Sequence, residues 1–259
     1  MGQALYRKYR SKSLDDVVGQ DHITTTLKNA VKTGKISHAY LLTGPRGVGK
    51  TSIARILAHA INDLPYDGQT HLDIIEIDAA SNRRIDEIRD LRDKVNILPT
   101  SAKYKVYIID EVHMLTREAF NALLKTLEEP PKHVVFVLAT TEAHKLPDTI
   151  VSRTQHYTFK PIDIQTLAGH LKHIASEEKM KVDDKALTLI AEHGQGSFRD
   201  SIGLLDQLAS GAAEITLQQV ESVLGVIPHE ELDKLLLALQ QGTPKELLDI
   251  IMKLREKGI

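Results

Sequence analysis

Cysteine is absent from the 259-residue sequence, which excludes disulfides and thiolate metal sites and suits a reducing compartment. No apolar run approaches the roughly 18 residues of a membrane-spanning helix, and no signal-peptide pattern opens the chain. Met1-Gly2 begins like a myristoylation motif, yet Tyr6 stands where that motif requires Ser or Thr. These absences give the expectation of a cytoplasmic protein without membrane contact. Charge of one sign is lacking too. The formal net charge is -2, so any nucleic-acid contact must come from a local patch. The densest basic stretch, residues 6–12, fits either such a patch or a solvated terminal arm. The 12 histidines show no metal-ligand spacing such as H-E-x-x-H. What is present is ordinary: 42% hydrophobic and 26% charged residues describe a globular protein long enough for two or three domains. No internal repeat or low-complexity segment stands out.

Four short apolar runs alternate with helical patterns, the signature of a parallel sheet covered by helices. The runs are Ala39–Thr43, Asp73–Ile77, Lys105–Ile109 and Val134–Ala139, and Lys50–Ile61, Ile85–Val95 and Arg117–Leu127 carry helical spacing between them. Pro130-Pro131 stops the last of these helices. From Asp163 onward the strand signal disappears. Helical patterns continue through Ile164–Glu178, Asp184–Glu192, Phe198–Ala209 and Leu217–Leu224, and after Pro228 through His229–Gln240 and Pro244–Lys257. The expected organisation is an α/β domain over residues 1–160, a small helical domain over 161–225 and the beginning of a third, helical piece over 226–259. Its last helix has no evident cap partner, so a longer protein is expected.

Gly44-Pro45-Arg46-Gly47-Val48-Gly49-Lys50-Thr51, followed by Ser52, fits G-x-x-x-x-G-K-[ST] between a strand and a helix. Glycines let backbone amides turn inward around phosphate oxygens, and the helix N-terminus adds a favourable dipole. Lys50 is expected to neutralise β- and γ-phosphates, and Thr51 to ligate Mg²⁺. About 60 residues further on, the apolar run Val106–Ile109 ends in Asp110-Glu111. Carboxylates at the C-terminal edge of a parallel sheet lie beside such a phosphate loop. Asp110 is the expected Mg²⁺ holder, through water, and Glu111 the residue that polarises the attacking water. These parts are common to GTP and ATP sites, so the pattern leaves the base open.

At this point the whole chain resembles the AAA+ ATPase subunits of bacterial sliding-clamp loaders. The boxes that carry the resemblance are residues 9–20, His38-Ala39-Tyr40, residues 77–83 (Ile77 to Arg83), Asp110-Glu111-Val112-His113-Met114-Leu115, and above all residues 121–131, reading NALLKTLEEPP. It continues through Ala139-Thr140-Thr141, Lys145-Leu146-Pro147, Ser152-Arg153 and Gly196-Ser197-Phe198-Arg199-Asp200. The resemblance implies an α/β P-loop fold with a helical lid, ATP with Mg²⁺ as ligand, and sibling loader subunits, a sliding clamp and primer-template DNA as partners. It also implies roles. Val17 and Val18 would line the adenine pocket with Arg10 nearby. Thr141, with Thr140 as the fallback, would end the fourth strand as the first sensor. Arg199 would be the second sensor, and Arg153 a finger acting on ATP held by a neighbouring subunit. Arg84, Arg89 and Arg117 would follow DNA phosphates, although the acids interspersed around Arg84 and Arg89 also suit an exposed helix.

Two departures from the family pattern matter. The family usually carries a four-cysteine zinc module between the P-loop helix and the second strand; here residues 62–72 hold no cysteine, and His71 alone cannot build a tetrahedral site, so no zinc is expected. Thr154 stands where the family's Ser-Arg-Cys motif ends in cysteine. Two alternatives share part of the pattern. A junction-migrating helicase motor would continue into a winged domain after the lid, where a plain helical pair is expected here. A non-hydrolysing relative would not need Lys50, Thr51, Asp110 and Glu111 intact.

Overall fold

The computed structural model describes residues 3–68, 71–81, 94–211, 214–226, 229–241, 247–248 and 250–252. Five parallel strands form the central sheet: β1 (Ala39–Thr43), β2 (Ile74–Asp78), β3 (Lys105–Asp110), β4 (Val134–Thr140) and β5 (Gln155–Thr158), in the order β2-β3-β4-β1-β5. Every residue of β1 and β4 is buried, as expected for strands covered on both faces. A short first helix, α1 (Leu5–Lys8), precedes the helices that cover the sheet, α2 (Asp21–Thr33), α3 (Lys50–Ile61) and α4 (Arg117–Glu128). One apolar cluster on one face includes Leu27, Ile53, Leu57 and Val137; a second, on the other, includes Tyr107, Phe120, Leu123 and Phe136. The α4 start is explained locally: the Thr116 hydroxyl caps it by accepting from the Ala119 amide at 3.3 Å.

A short helix, α5 (Asp148–Val151), leads into β5, after which the chain enters a helical bundle: α6 (Ile164–Glu177), α7 (Asp184–His193), α8 (Phe198–Ala209) and α9 (Leu217–Leu224). A third apolar cluster, including Leu167, Leu171, Ile190 and Leu205, fills this bundle. Leu5 of the first helix is buried in it. The Leu5 amide donates to the Asp206 carboxylate at 3.1 Å, and the Tyr9 hydroxyl donates to Glu178 at 2.6 Å. Thus the first part of the basic segment, through Tyr9, is docked on the bundle rather than extended into solvent as a terminal arm, while Ser11 and Lys12 bond to Asp16. Among the described residues, helix α10 (His229–Gln241) follows.

The structure corrects the sequence reading in several places. The sheet has a fifth strand, β5, whose residues QHYT show one buried position in four and so carry no apolar run. The bundle is not strand-free: β6 (Lys181–Val182) pairs in parallel with β7 (Glu214–Ile215). Helix α2 is an addition to the expected elements, its buried apolar positions Ile23 and Leu27 standing four apart. The second strand starts at Ile74, not Asp73. Most of the expected helix Ile85–Val95, and of Pro244–Lys257, falls outside the described residues.

Asp73 has a different task. Its side chain is buried, and its two carboxylate oxygens accept from the amides of Thr100, Ser101 and Ala102 at 2.7, 2.9 and 3.0 Å. Burial pushes its pKa up, but the three amides more than offset this, and the group is lowered from 3.8 to about 2. A carboxylate depressed on folding contributes stability above its unfolded pKa and loses it as pH falls through the folded one. Asp73→Asn is therefore expected to cost roughly 2 kcal/mol at pH 7, the difference shrinking between pH 4 and pH 2. Denaturant unfolding of both proteins across that range checks this; a pH-independent difference would contradict it.

Candidate functional site

Register places the site. Thr43 pairs with Thr140 and Ile109 with Leu138, so the C-terminal ends of β1, β4 and β3 lie level, with β4 between the other two. The loop 44–49 leaves β1 there, Asp110 ends β3, and Thr140 ends β4. Thr141 is the next residue, so the strand ends one residue before the position expected of it.

The loop is shaped by its glycines and by what presses on it. Gly47 has φ +76°, and a Cβ there would lie 1.9 Å from Ser197 Oγ and 3.3 Å from Arg199 Cβ. The Gly47 carbonyl accepts from the Phe198 amide at 3.0 Å. The phosphate loop thus touches the first turn of α8, whose cap is Ser197, and this contact brings Arg199 to the cleft. Behind the loop, the buried Gln20 amide bridges to the Lys160 backbone in both directions, at 2.7 and 3.3 Å, fixing the segment that carries Val17 and Val18. The outcome is a cleft of about 450 Å³, within the usual range for small-molecule sites. Among its lining residues are the sequence-predicted Arg10, Val17, Val18, Arg46, Gly47, Val48, Gly49, Lys50, Thr51, Ser52, Asp110, Glu111 and Arg199.

Lys50 is buried, and its ammonium donates to the carbonyls of Gly44 and Pro45 at 2.8 and 2.6 Å. Burial pushes its pKa down, while Glu111 and Asp110 pull it back up. The Thr51 hydroxyl donates to Asp110 Oδ2 at 2.7 Å. Burial raises the Asp110 pKa, opposed by that hydroxyl and by the Glu111 amide. Glu111 itself sits in the left-handed region, φ 47° and ψ 45°, a conformation that costs a residue with a side chain on the order of 1 kcal/mol or more. Its Oε2 accepts from the Thr141 amide at 3.2 Å and the Thr141 hydroxyl at 3.0 Å.

Other positions lie elsewhere. Arg153 does not line the cleft; its guanidinium pairs with Glu128 at 2.9 Å and donates to the Thr149 carbonyl at 2.9 Å. Arg117 is exposed at the first residue of α4. Arg84 and Arg89 lie outside the described residues. Sequence reasoning missed Tyr6, Tyr9, Phe198 and His170, which also line the cleft. It missed His113 as well, whose ring contacts Glu111; the signal available was its place three residues after Asp110.

Residues 19–163 match the family model described as DNA polymerase III, delta subunit, and residues 166–213 match that of the DNA polymerase III clamp loader subunit, ATPase lid domain. A DNA polymerase III subunit gamma of Buchnera aphidicola is 38% identical over 275 residues, covering 99% of this chain and 76% of the relative. The chain belongs to the DNA polymerase III gamma/tau family of clamp-loader subunits. The tau subunits of Bacillus subtilis and Escherichia coli are 47% and 42% identical across 99% of the chain. The chain spans 48% and 42% of those two relatives, about half their length. Among solved structures, the RuvB Holliday junction branch migration motor of Thermotoga maritima has a TM-score of 0.68 at 23% identity, covering 92% of this chain and 80% of that one. That likeness shows a shared fold. Among the described residues, no helix of this gamma/tau member is long and apolar enough to cross a membrane.

The close approach at Gly47 is open to direct test. Gly47→Ala combines a positive φ with a steric overlap against Ser197, and is expected to destabilise the protein by roughly 1–3 kcal/mol. Gly169→Ala, exposed inside α6 with open space around it, is expected to be neutral or stabilising by up to about 1 kcal/mol. Denaturant midpoints of the two variants check the contrast, and equal midpoints would refute it.

Proposed function

We propose that this chain is an ATP-binding and ATP-hydrolysing motor unit of a bacterial sliding-clamp loader, working in the cytoplasm with sibling loader subunits, a sliding clamp and primer-template DNA. The observation that carries the hydrolytic part is the joint at the cleft floor. The Thr51 hydroxyl meets Asp110 at 2.7 Å, and Glu111 is anchored beside it by Thr141. A chain that only bound a partner would have no use for a buried lysine, a buried carboxylate and a strained glutamate at one sheet edge.

The donor set fits Mg²⁺ and a triphosphate. A hydroxyl and a carboxylate in contact are hard oxygen donors of the kind Mg²⁺ takes through one or two protein groups plus waters. When bound, Mg²⁺ neutralises charge on the phosphate oxygens. Thr51 and Asp110 are the residues that would hold it. Lys50, carried on the first turn of α3, exchanges its carbonyl partners for phosphate oxygens. The raised Asp110 and lowered Lys50 pKa values share a first cause, burial, so both groups gain when further opposite charge arrives. Val17 and Val18 border the base end with Arg10, and Arg199 reaches the cleft from the lid. Glu111 takes the proton of the attacking water, and Thr141 fixes the orientation of that carboxylate.

Arg153 supports action in trans. It lies off the cleft of its own chain, held at the surface by Glu128, and a guanidinium stays charged and offers forked donors to phosphate oxygens. Arg117 is exposed and, with Arg84 and Arg89, is read as following DNA phosphates. No zinc is assigned, because no cysteine is available to hold it.

In a steady-state ATPase assay on the full-length subunit, alone and assembled with its sibling subunits, clamp and primed DNA, the lone protein is expected to turn over slowly and the assembly rapidly. Arg153→Ala should remove most of the gain, on the order of 10³-fold, while the lone chain's ATP affinity stays unchanged. A lone chain as fast as the assembly, or an assembly indifferent to Arg153→Ala, would refute the trans role.

A further inference from the structure

His113 sits in the short 3₁₀ turn Val112–Met114 that follows Glu111, with a side chain only 5% exposed. Both of its ring nitrogens are in use. Nδ1 lies 2.9 Å from Thr140 Oγ1 and 3.3 Å from Glu111 Oε2. Nε2 lies 2.9 Å from Glu142 Oε2. A carboxylate oxygen only accepts, so Nε2 carries a proton there and donates it to Glu142. Glu142 is fixed in turn: its carboxylate accepts from Lys145 at 2.9 Å, and its amide donates to Thr140 Oγ1 at 3.0 Å. The ring is therefore clamped between the end of β4 and the turn 142–145, and it presses its other edge on the acid.

This arrangement divides the two oxygens of Glu111. Oε2 accepts from the Thr141 amide and the Thr141 hydroxyl, and His113 Nδ1, paired with the Thr140 hydroxyl, packs 3.3 Å from it. Oε1 has no hydrogen bond among the described residues, and Glu111 lines the cleft. One oxygen is anchored and the other is left to work. The left-handed backbone at Glu111 makes an anchor necessary, because a strained residue relaxes unless its surroundings over-determine it.

We propose that His113 is a positioning residue for Glu111, with Glu142 as the carboxylate that orients it, so that Glu142, His113 and Glu111 form a chain linking the water-activating acid to the turn after β4. The inference rests on Glu111 being that acid. Carboxylates that orient an imidazole from behind recur wherever a histidine must keep one tautomer and one ring plane. The chain also joins the acid to the first-sensor segment by two independent routes, through Thr141 directly and through His113 to Thr140. Movement of that segment is thereby transmitted to the acid.

Two conservative variants separate positioning from mere packing. In His113→Asn the amide falls near the place of Nδ1 and keeps the contact with Thr140 and Glu111. In His113→Gln it falls near Nε2, keeping Glu142 and losing Glu111. Both are measured in the full-length subunit assembled with its sibling subunits, by steady-state hydrolysis and by titration with a fluorescent ATP analogue. His113→Gln is expected to lower kcat roughly 10- to 100-fold with KM and analogue affinity within about twofold of wild type. His113→Asn should stay within about fivefold of the wild-type kcat, and Glu142→Gln, which still accepts from Nε2, likewise. Equal kcat for the Asn and Gln variants, or a loss that appears in KM and affinity rather than kcat, would overturn the proposal. An active wild-type assembly with indifferent variants sinks this inference alone. A wild-type assembly that neither binds nor hydrolyses ATP sinks the underlying reading and this inference with it.

Discussion

Parallel pairing of β4 between β1 and β3 is the constraint on which the rest of the site depends. Because Thr43 and Thr140 share a register position and Asp110 falls one residue past the Ile109–Leu138 pair, three strand ends finish on one level. The loop leaving β1 can then meet the acids leaving β3, although those strands do not touch. The residue leaving β4 stands between them and reaches Glu111. A slip of one residue in β4 would turn its side chains to the opposite face and carry Thr141 away from Glu111. Burial on both faces of the sheet opposes such a slip, since all seven residues of β4 are packed.

Stability generated in the sheet is used at its edge. Lys50 and Asp110 are both held where burial disfavours their charged forms, and Glu111 holds a backbone conformation that favours glycine. These are local costs of a few kcal/mol at most, in a fold whose strands and helices bury tens of apolar side chains. The second point of tension is the loop against the lid. Gly47 permits a contact with Ser197 and Phe198 that no larger residue allows, and through it the lid arginine arrives at the cleft. The first residues of the chain reinforce that contact from the other side, with Leu5 in the bundle core and Tyr6 near the Arg199 guanidinium, 6.0 Å from ring centre to Cζ.

Much of this was legible in the residues. Local chemistry announced the phosphate loop, because glycines, a lysine and a threonine at fixed spacing between a strand and a helix have few other uses. The acids at the end of an apolar run were legible for the same reason. Strand β5 was not, since an edge strand with one buried residue in four lacks the apolar run by which buried strands are recognised. Asp73 read as strand because it adjoins an apolar run; only the fold shows three distant amides converging on it. The role of His113 also depends on tertiary contact. Its partners Thr140 and Glu142 lie 27 and 29 positions away in sequence, and periodicity carries no information about them.

The central claim is that the cleft at the level ends of β1, β4 and β3 takes ATP through Lys50. It is tested most directly by equilibrium titration of a fluorescent ATP analogue, in the presence of Mg²⁺, into the wild-type chain and Lys50→Ala. The account predicts saturable binding to the wild type and none to the variant, with both proteins showing the same helical content. Equal affinity in the two proteins would contradict it.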